Sequence, residues 1–174
     1  MPILSPVGKP ALRWLALVAA CATSGTAIAA PANGAAIGAG VIAAREGEMS
    51  SRGLSIGADA QFVFNERWSL NPTIMISAER ESASRRISDG LAGVQLRRWV
   101  GDWFVGAHFF AHARAIIVDN TITRTNYGPA GGVVAGFEGT SGWGAALQID
   151  AFENTNVQGT FRNAVRLHLT HRWR

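Results

Sequence analysis

The most restrictive feature of this chain is an alternation of period two that recurs along nearly all of it. Residues 163–174, NAVRLHLTHRWR, show it most plainly. Val165, Leu167, Leu169, His171 and Trp173 fall on one side, and Ala164, Arg166, His168, Thr170 and Arg172 on the other. A β-strand sends alternate side chains to opposite faces, so this segment has one greasy face and one face of cations and hydrogen-bonding groups. Taken alone, it also fits an amphipathic last strand of a soluble protein. Seven further segments upstream repeat the pattern, at about residues 37–45, 53–64, 68–79, 87–99, 103–117, 127–137 and 143–151. The sixth of these is glycine-rich. No apolar run after residue 35 approaches the roughly 20 residues of a spanning helix, whereas the segments, mostly roughly 9–13 residues long, suit a tilted spanning strand of about 9–11 residues.

The connections and the aromatic residues add two regularities. Short turns are predicted after the second, fourth and sixth segments, at Asn65-Glu66, Gly101-Asp102 and 138–142, and longer polar loops at 46–52, 80–86, 118–126 and 153–159. Pro72 removes a ladder donor and predicts a local bulge. Trp68, Trp103 and Trp143 begin segments, while Trp99 and Trp173 end them. In an up-and-down arrangement all five fall at the short-turn rim as an aromatic girdle, joined by Phe64, Phe104 and Phe137. Amphipathic rings gather in this way at a membrane interface.

Charge and cysteine content exclude several functions. Residues 1–29 read as a secretory signal, with Lys9 and Arg13 before the apolar WLALVAA (14–20) and a small-x-small site at Ala27-Ile28-Ala29. The competing reading is lipoprotein processing at Cys21, after Val18-Ala19-Ala20. Removing Lys9 and Arg13 from the 16 basic residues leaves 14, all arginine, against 12 carboxylates, for a net charge near +2. That small excess does not indicate a nucleic-acid partner. Cys21 is the only cysteine, so cleavage before Ala30 would leave no thiol for catalysis, a disulfide or metal ligation. Residues 30–35 form a short lead-in and 36–174 a single all-β domain, an eight-stranded antiparallel up-and-down barrel.

This pattern resembles the small eight-stranded outer-membrane barrels of the OmpA/OmpX class. The resemblance lies in the closing strand with its near-terminal Trp173, in FNERWSL (64–70), and in VVAGFEGTSGWGAALQID (133–150). It departs at Arg174, since chains of this class usually stop at the aromatic residue. It implies an outer-membrane protein, a monomer in contact with outer-membrane lipid and lipopolysaccharide, with no nucleic-acid partner, inserted by the barrel-assembly machinery. It implies no cofactor and no separate periplasmic domain.

On this arrangement the lumen receives Asp59, Glu79, Asp89, Arg97, His108, His112, Arg114, Asp150, Arg166, His168 and Arg172. Eight-stranded barrels are narrow enough for side chains to fill them. A packed network of arginine–carboxylate pairs is therefore expected, with an ion path through it as the alternative. His168-Leu169-Thr170 faintly echoes the His-x-Ser spacing of lipid A deacylases, but it uses threonine and faces the lumen near the short-turn rim. His108 and His112, four residues apart on a strand, are about 13 Å apart and too far to share a zinc ion. No catalytic or metal-binding residue is assigned. Arg45, Arg52, Arg80, Arg85, Arg86, Arg124 and Arg162 fall among the external loops with Glu46, Glu48, Glu81, Asp119 and Glu153. Arginine there pairs readily with lipopolysaccharide phosphates, Arg85-Arg86 being the candidate. The favoured function is a structural or surface-interaction role in the outer membrane without catalysis. Its competitors are a lipid A-modifying enzyme on the same barrel and a secreted, soluble lipocalin-like barrel with its apolar faces turned inward.

Overall fold

A computed structural model describes residues 31–153 and 161–173. The signal-peptide reading, Cys21, most of the loop at 153–159 and Arg174 lie outside the described residues. Eight antiparallel strands follow one another: β1 (Gly34–Glu46), β2 (Met49–Asn65), β3 (Trp68–Arg80), β4 (Arg85–Val100), β5 (Trp103–Val118), β6 (Thr121–Glu138), β7 (Trp143–Glu153) and β8 (Phe161–Trp173). Each pairs with its neighbours in sequence, and β8 returns to β1 from Ala35↔Trp173 to Glu46↔Arg162, closing the barrel. Closure leaves no strand edge unpaired, which is what a strand in a water-free surrounding requires.

The alternation in the sequence becomes an inside and an outside. Leu54 and Leu169 are about two-thirds exposed on the outer wall, in the company of Ile37, Ile56, Ile74, Ile76, Phe109 and Val133. The apolar faces thus point away from the barrel axis, opposite to the lipocalin-like arrangement. The lumen carries most of the buried polar groups, together with two apolar clusters. One gathers Ile42, Ala44, Met75, Leu91, Phe110, Ala130, Phe152 and Ala164, and the other Trp99, Phe104 and Val134.

The connections differ from the predicted ones. The loops expected at 46–52 and 118–126 are two-residue turns, Gly47-Glu48 and Asp119-Asn120, with the remaining residues drawn into the strands. The loop at 80–86 shrinks to four residues. Asp119 and Asn120 both have positive φ, 49° and 64°, the backbone of a tight hairpin whose twist matches its strands. The contrast between short and long connections is therefore absent from the described turns; at the end away from the tryptophans the strands themselves run on. Polar residues there obscure the alternation, because a strand wet on both faces has no reason to keep one face apolar.

Pro72 does not produce a bulge. Asp59↔Thr73 and Phe62↔Leu70 keep one offset, the pairs opposite Asn71 and Pro72 being skipped without a change of register. The register shifts occur between Val63 and Asn65 and between Ile116 and Ile117.

Candidate functional site

The lumen is organised in three tiers of charge along the axis. At the end away from the tryptophans, Arg162 of β8 reaches across to two carboxylates, donating from NH1 to Asp89 Oδ2 at 2.6 Å and from NH2 to Glu79. Arg114 of β5 donates through Nε to the other oxygen of Asp89 at 2.9 Å, and Ser51 Oγ donates to Glu79 at 2.5 Å. The Phe152 ring lies beneath this group, with the guanidinium carbons of Arg114, Arg162 and Arg166 at 5.2, 5.3 and 5.5 Å from its centroid. A ring quadrupole attracts cations at such distances, so Phe152 helps to hold three like charges together.

In the middle tier Asp150 accepts from Arg166 and, at 2.7 Å, from Gln148 Nε2. His108 Nε2 lies 2.8 Å from its Oδ1. His168 of β8 meets Ser55 of β2. At the tryptophan end Asp59 is held between Arg97 NH2 at 2.9 Å and Arg172 NH2 at 2.8 Å, while Arg172 Nε donates to Glu138 at 2.8 Å. Asn71 and Gln61 are linked beside them at 3.1 Å.

All eleven predicted lumen residues turn inward, and ten of them are buried; Asp59 is only partly so. The structure unites Asp59 with Arg97 and Arg172, Asp150 with Arg166 and His108, and Asp89 with Arg114. His112 does not join a carboxylate; it meets the Phe152 ring edge-on at 5.2 Å. Beside the neutral partners Ser51, Ser55, Gln61, Asn71 and Gln148, three charged or aromatic participants lie outside the predicted set. Arg162, assigned to an external loop, is 1% exposed and central to its tier. Glu138, assigned to a turn, is the last residue of β6 and buried. Phe152 occupies the inward parity of β7. Parity reveals all three: Arg162 continues the 164, 166, 168 series and Glu138 the 132, 136 series.

The aromatic girdle needs correction at two residues, Trp99 and Phe104. Trp103, Trp143 and Trp173 are about half exposed or more on the outer wall, and Trp68 is partly exposed there. Trp99 is not part of this girdle. It is 4% exposed inside the barrel, packed on Phe104 at 5.0 Å and donating from Nε1 to Ser69 Oγ at 2.9 Å. Phe104 is likewise internal. Both share parity with inward neighbours, Gln95 and Arg97 on β4 and Gly106 and His108 on β5, so their level in the barrel agrees with the girdle but their face does not. His171 takes part instead, its ring between Trp143 at 4.7 Å and Trp173 at 5.0 Å.

Chemically, this interior is a packed polar core. A void of about 40 Å³ near Gln95, Gln148 and His168 holds at most a few waters. His168 and Thr170 both sit on the lumen side of β8, with Ser55 against the histidine. Among the described residues no group of three or more His, Cys, Asp and Glu side chains is placed to hold a metal ion.

The fold has close counterparts among solved structures. The attachment invasion locus protein Ail of Yersinia pestis, solved with the heparin analogue sucrose octasulfate, superposes with a TM-score of 0.60 at 11% identity, over 82% of this chain and 100% of Ail. Neisserial surface protein A matches with a TM-score of 0.55 at 11% identity, over 83% of this chain and 99% of its own. The fold is that of the small eight-stranded outer-membrane barrels. The outer-membrane enzyme PagL shares this barrel, with a TM-score of 0.53 at 9% identity over 78% of this chain and 98% of its own. No protein-family model matches the sequence, and no curated protein does. At such identities the likeness concerns backbone architecture, and outer-membrane barrels of one architecture serve different functions.

Proposed function

We propose that this protein is an integral outer-membrane β-barrel with a structural or surface-interaction role and no catalytic chemistry of its own. The observation that carries this reading is the inverted polarity of the barrel. Its outer wall presents apolar side chains on every strand, while arginines and carboxylates fill the lumen. A soluble monomer rarely exposes a contiguous apolar patch beyond a few hundred Å²; a lipid-facing wall demands one. The exposed charged residues of the described strands are Arg45, Arg52, Arg80, Arg86, Arg98, Arg124 and Glu153, all toward strand ends. That placement avoids the roughly 2–4 kcal/mol that an arginine costs at the bilayer midplane. The tryptophan rim then faces the periplasm, residues 1–29 direct export, and β8 with Trp173 serves the assembly machinery.

A packed lumen supports a scaffold or surface role over conduction. The inward placement of His168 and Thr170, away from surrounding lipid, argues against their acting on lipid A. Fractionation and gel mobility test the membrane reading: the protein should sediment with outer membranes and migrate differently when boiled and unboiled. A freely soluble periplasmic product would overturn it. Mass spectrometry of lipid A from cells with and without the protein should show one acyl pattern; an altered pattern would establish an enzyme.

A further inference from the structure

Arg52, Arg80 and Arg86 occupy directly opposed positions on three successive strands, Arg52↔Arg80 across β2–β3 and Arg80↔Arg86 across β3–β4. All three are exposed on the outer wall. They stand at the end away from the tryptophans, just beyond the apolar belt that begins with Leu54 on β2 and Ile76 on β3. Like charges directly opposed across strands are destabilising, and here the opposition occurs twice in one row. Ion pairs at this end engage Arg85, Arg114 and Arg162, and among the described residues none engages the three arginines of the row. Glu153, the outward carboxylate of the described strands, is on β7, on another side of the barrel.

Adjacent strands are about 4.8 Å apart, so the row spans about 10 Å, the width of neighbouring phosphorylated headgroups. Guanidinium groups donate to phosphate oxygens in a bidentate fork. We propose that Arg52, Arg80 and Arg86 form a binding site for the phosphate groups of lipopolysaccharide in the outer leaflet. This inference rests on the outer-membrane reading, which turns this end of the barrel outward. It also refines the Arg85-Arg86 candidate: these neighbours lie on opposite faces of β4, and Arg85 Nε is already engaged by Glu81 at 2.7 Å.

The row can be tested with the full-length barrel folded into phosphatidylcholine vesicles, with and without lipopolysaccharide, its dephosphorylated form, or phosphatidylglycerol. Thermal unfolding, followed by the loss of the unboiled gel band, is the readout. Lipopolysaccharide should raise the wild-type midpoint well above the values with dephosphorylated lipopolysaccharide and with phosphatidylglycerol. R52S/R80S/R86S should lose most of that shift, with a fall in apparent affinity of about tenfold or more. Arg80→Glu keeps the site testable if the triple variant folds poorly. It places a carboxylate between two arginines, so it should raise the midpoint in phosphatidylcholine and abolish the response to lipopolysaccharide. Arg98→Ser, at the other rim, should retain the response. An undiminished shift in the triple variant or in R80E would overturn the site, and an equal shift with phosphatidylglycerol would overturn the assignment to lipopolysaccharide. Failure of the wild type to insert into any vesicle would instead overturn the membrane reading.

Discussion

The two end tiers of the lumen solve the same problem with different margins. Each sets two arginines against two closely held carboxylates, Arg114 and Arg162 with Glu79 and Asp89 at one end, Arg97 and Arg172 with Asp59 and Glu138 at the other. Arg114 NH1 also has the partly exposed Glu46 at 3.6 Å. In the first, the side chains of Arg114, Arg162, Glu79 and Asp89 are 2% exposed or less, and the phenyl face of Phe152 takes part. In the second, Asp59 retains about 10% exposure beside the small void. Burial raises the cost of an unpaired charge far more than the worth of a paired one. The comparison teaches that similar pairing does not mean equal sensitivity: the drier tier is the one that a single deletion should hurt most.

The largest effect is expected from Asp89→Ala, which strips a partner from both Arg114 and Arg162. A loss of about 3–5 kcal/mol in unfolding free energy is expected, measured by urea titration in lipid vesicles. Asp59→Ala at the other end should cost less, about 1–3 kcal/mol, because water reaches that partly exposed site. Equal losses in the two variants would break the contrast between the tiers. Arg166→Met addresses the middle, where Asp150 keeps Gln148 and the neighbouring His108; its cost should fall below that of Asp89→Ala in the same titration. The smallest effect belongs to Trp99→Phe, which keeps an aromatic ring against Phe104 and removes one hydrogen bond to Ser69, worth about 1 kcal/mol. Were Trp99 an outward girdle residue, that change would instead leave stability in neutral detergent untouched.

Much of the barrel was legible in the sequence because a strand writes its two faces two residues at a time. Eight segments, their order and the inward set from Asp59 to Arg172 follow from that local rule. Strand ends were less legible. Met49 to Arg52 and Thr121 to Asn126 read as loops because polar side chains hide the alternation, although backbone pairing continues through them. The same shortened ends displaced Arg162 and Glu138 from the lumen. Trp99 departs from the expected girdle for another reason: its level in the barrel matches the rim, but parity with Gln95 and Arg97 turns its face inward.

Pairing is where the sequence stops. That Asp150 and Arg166 are both internal is a matter of parity, and each can be placed from its own strand. That Arg162 meets Glu79 and Asp89, 83 and 73 residues away, depends on the register in which β8 closes on β1 and on side chains crossing the lumen. The row of Arg52, Arg80 and Arg86 likewise exists only because two hairpin registers bring three outward positions level. By itself the sequence determined which face each residue takes, because side-chain direction is set within a strand. Tertiary structure alone decided which charges meet, because partners are chosen by register and closure, which no single strand contains.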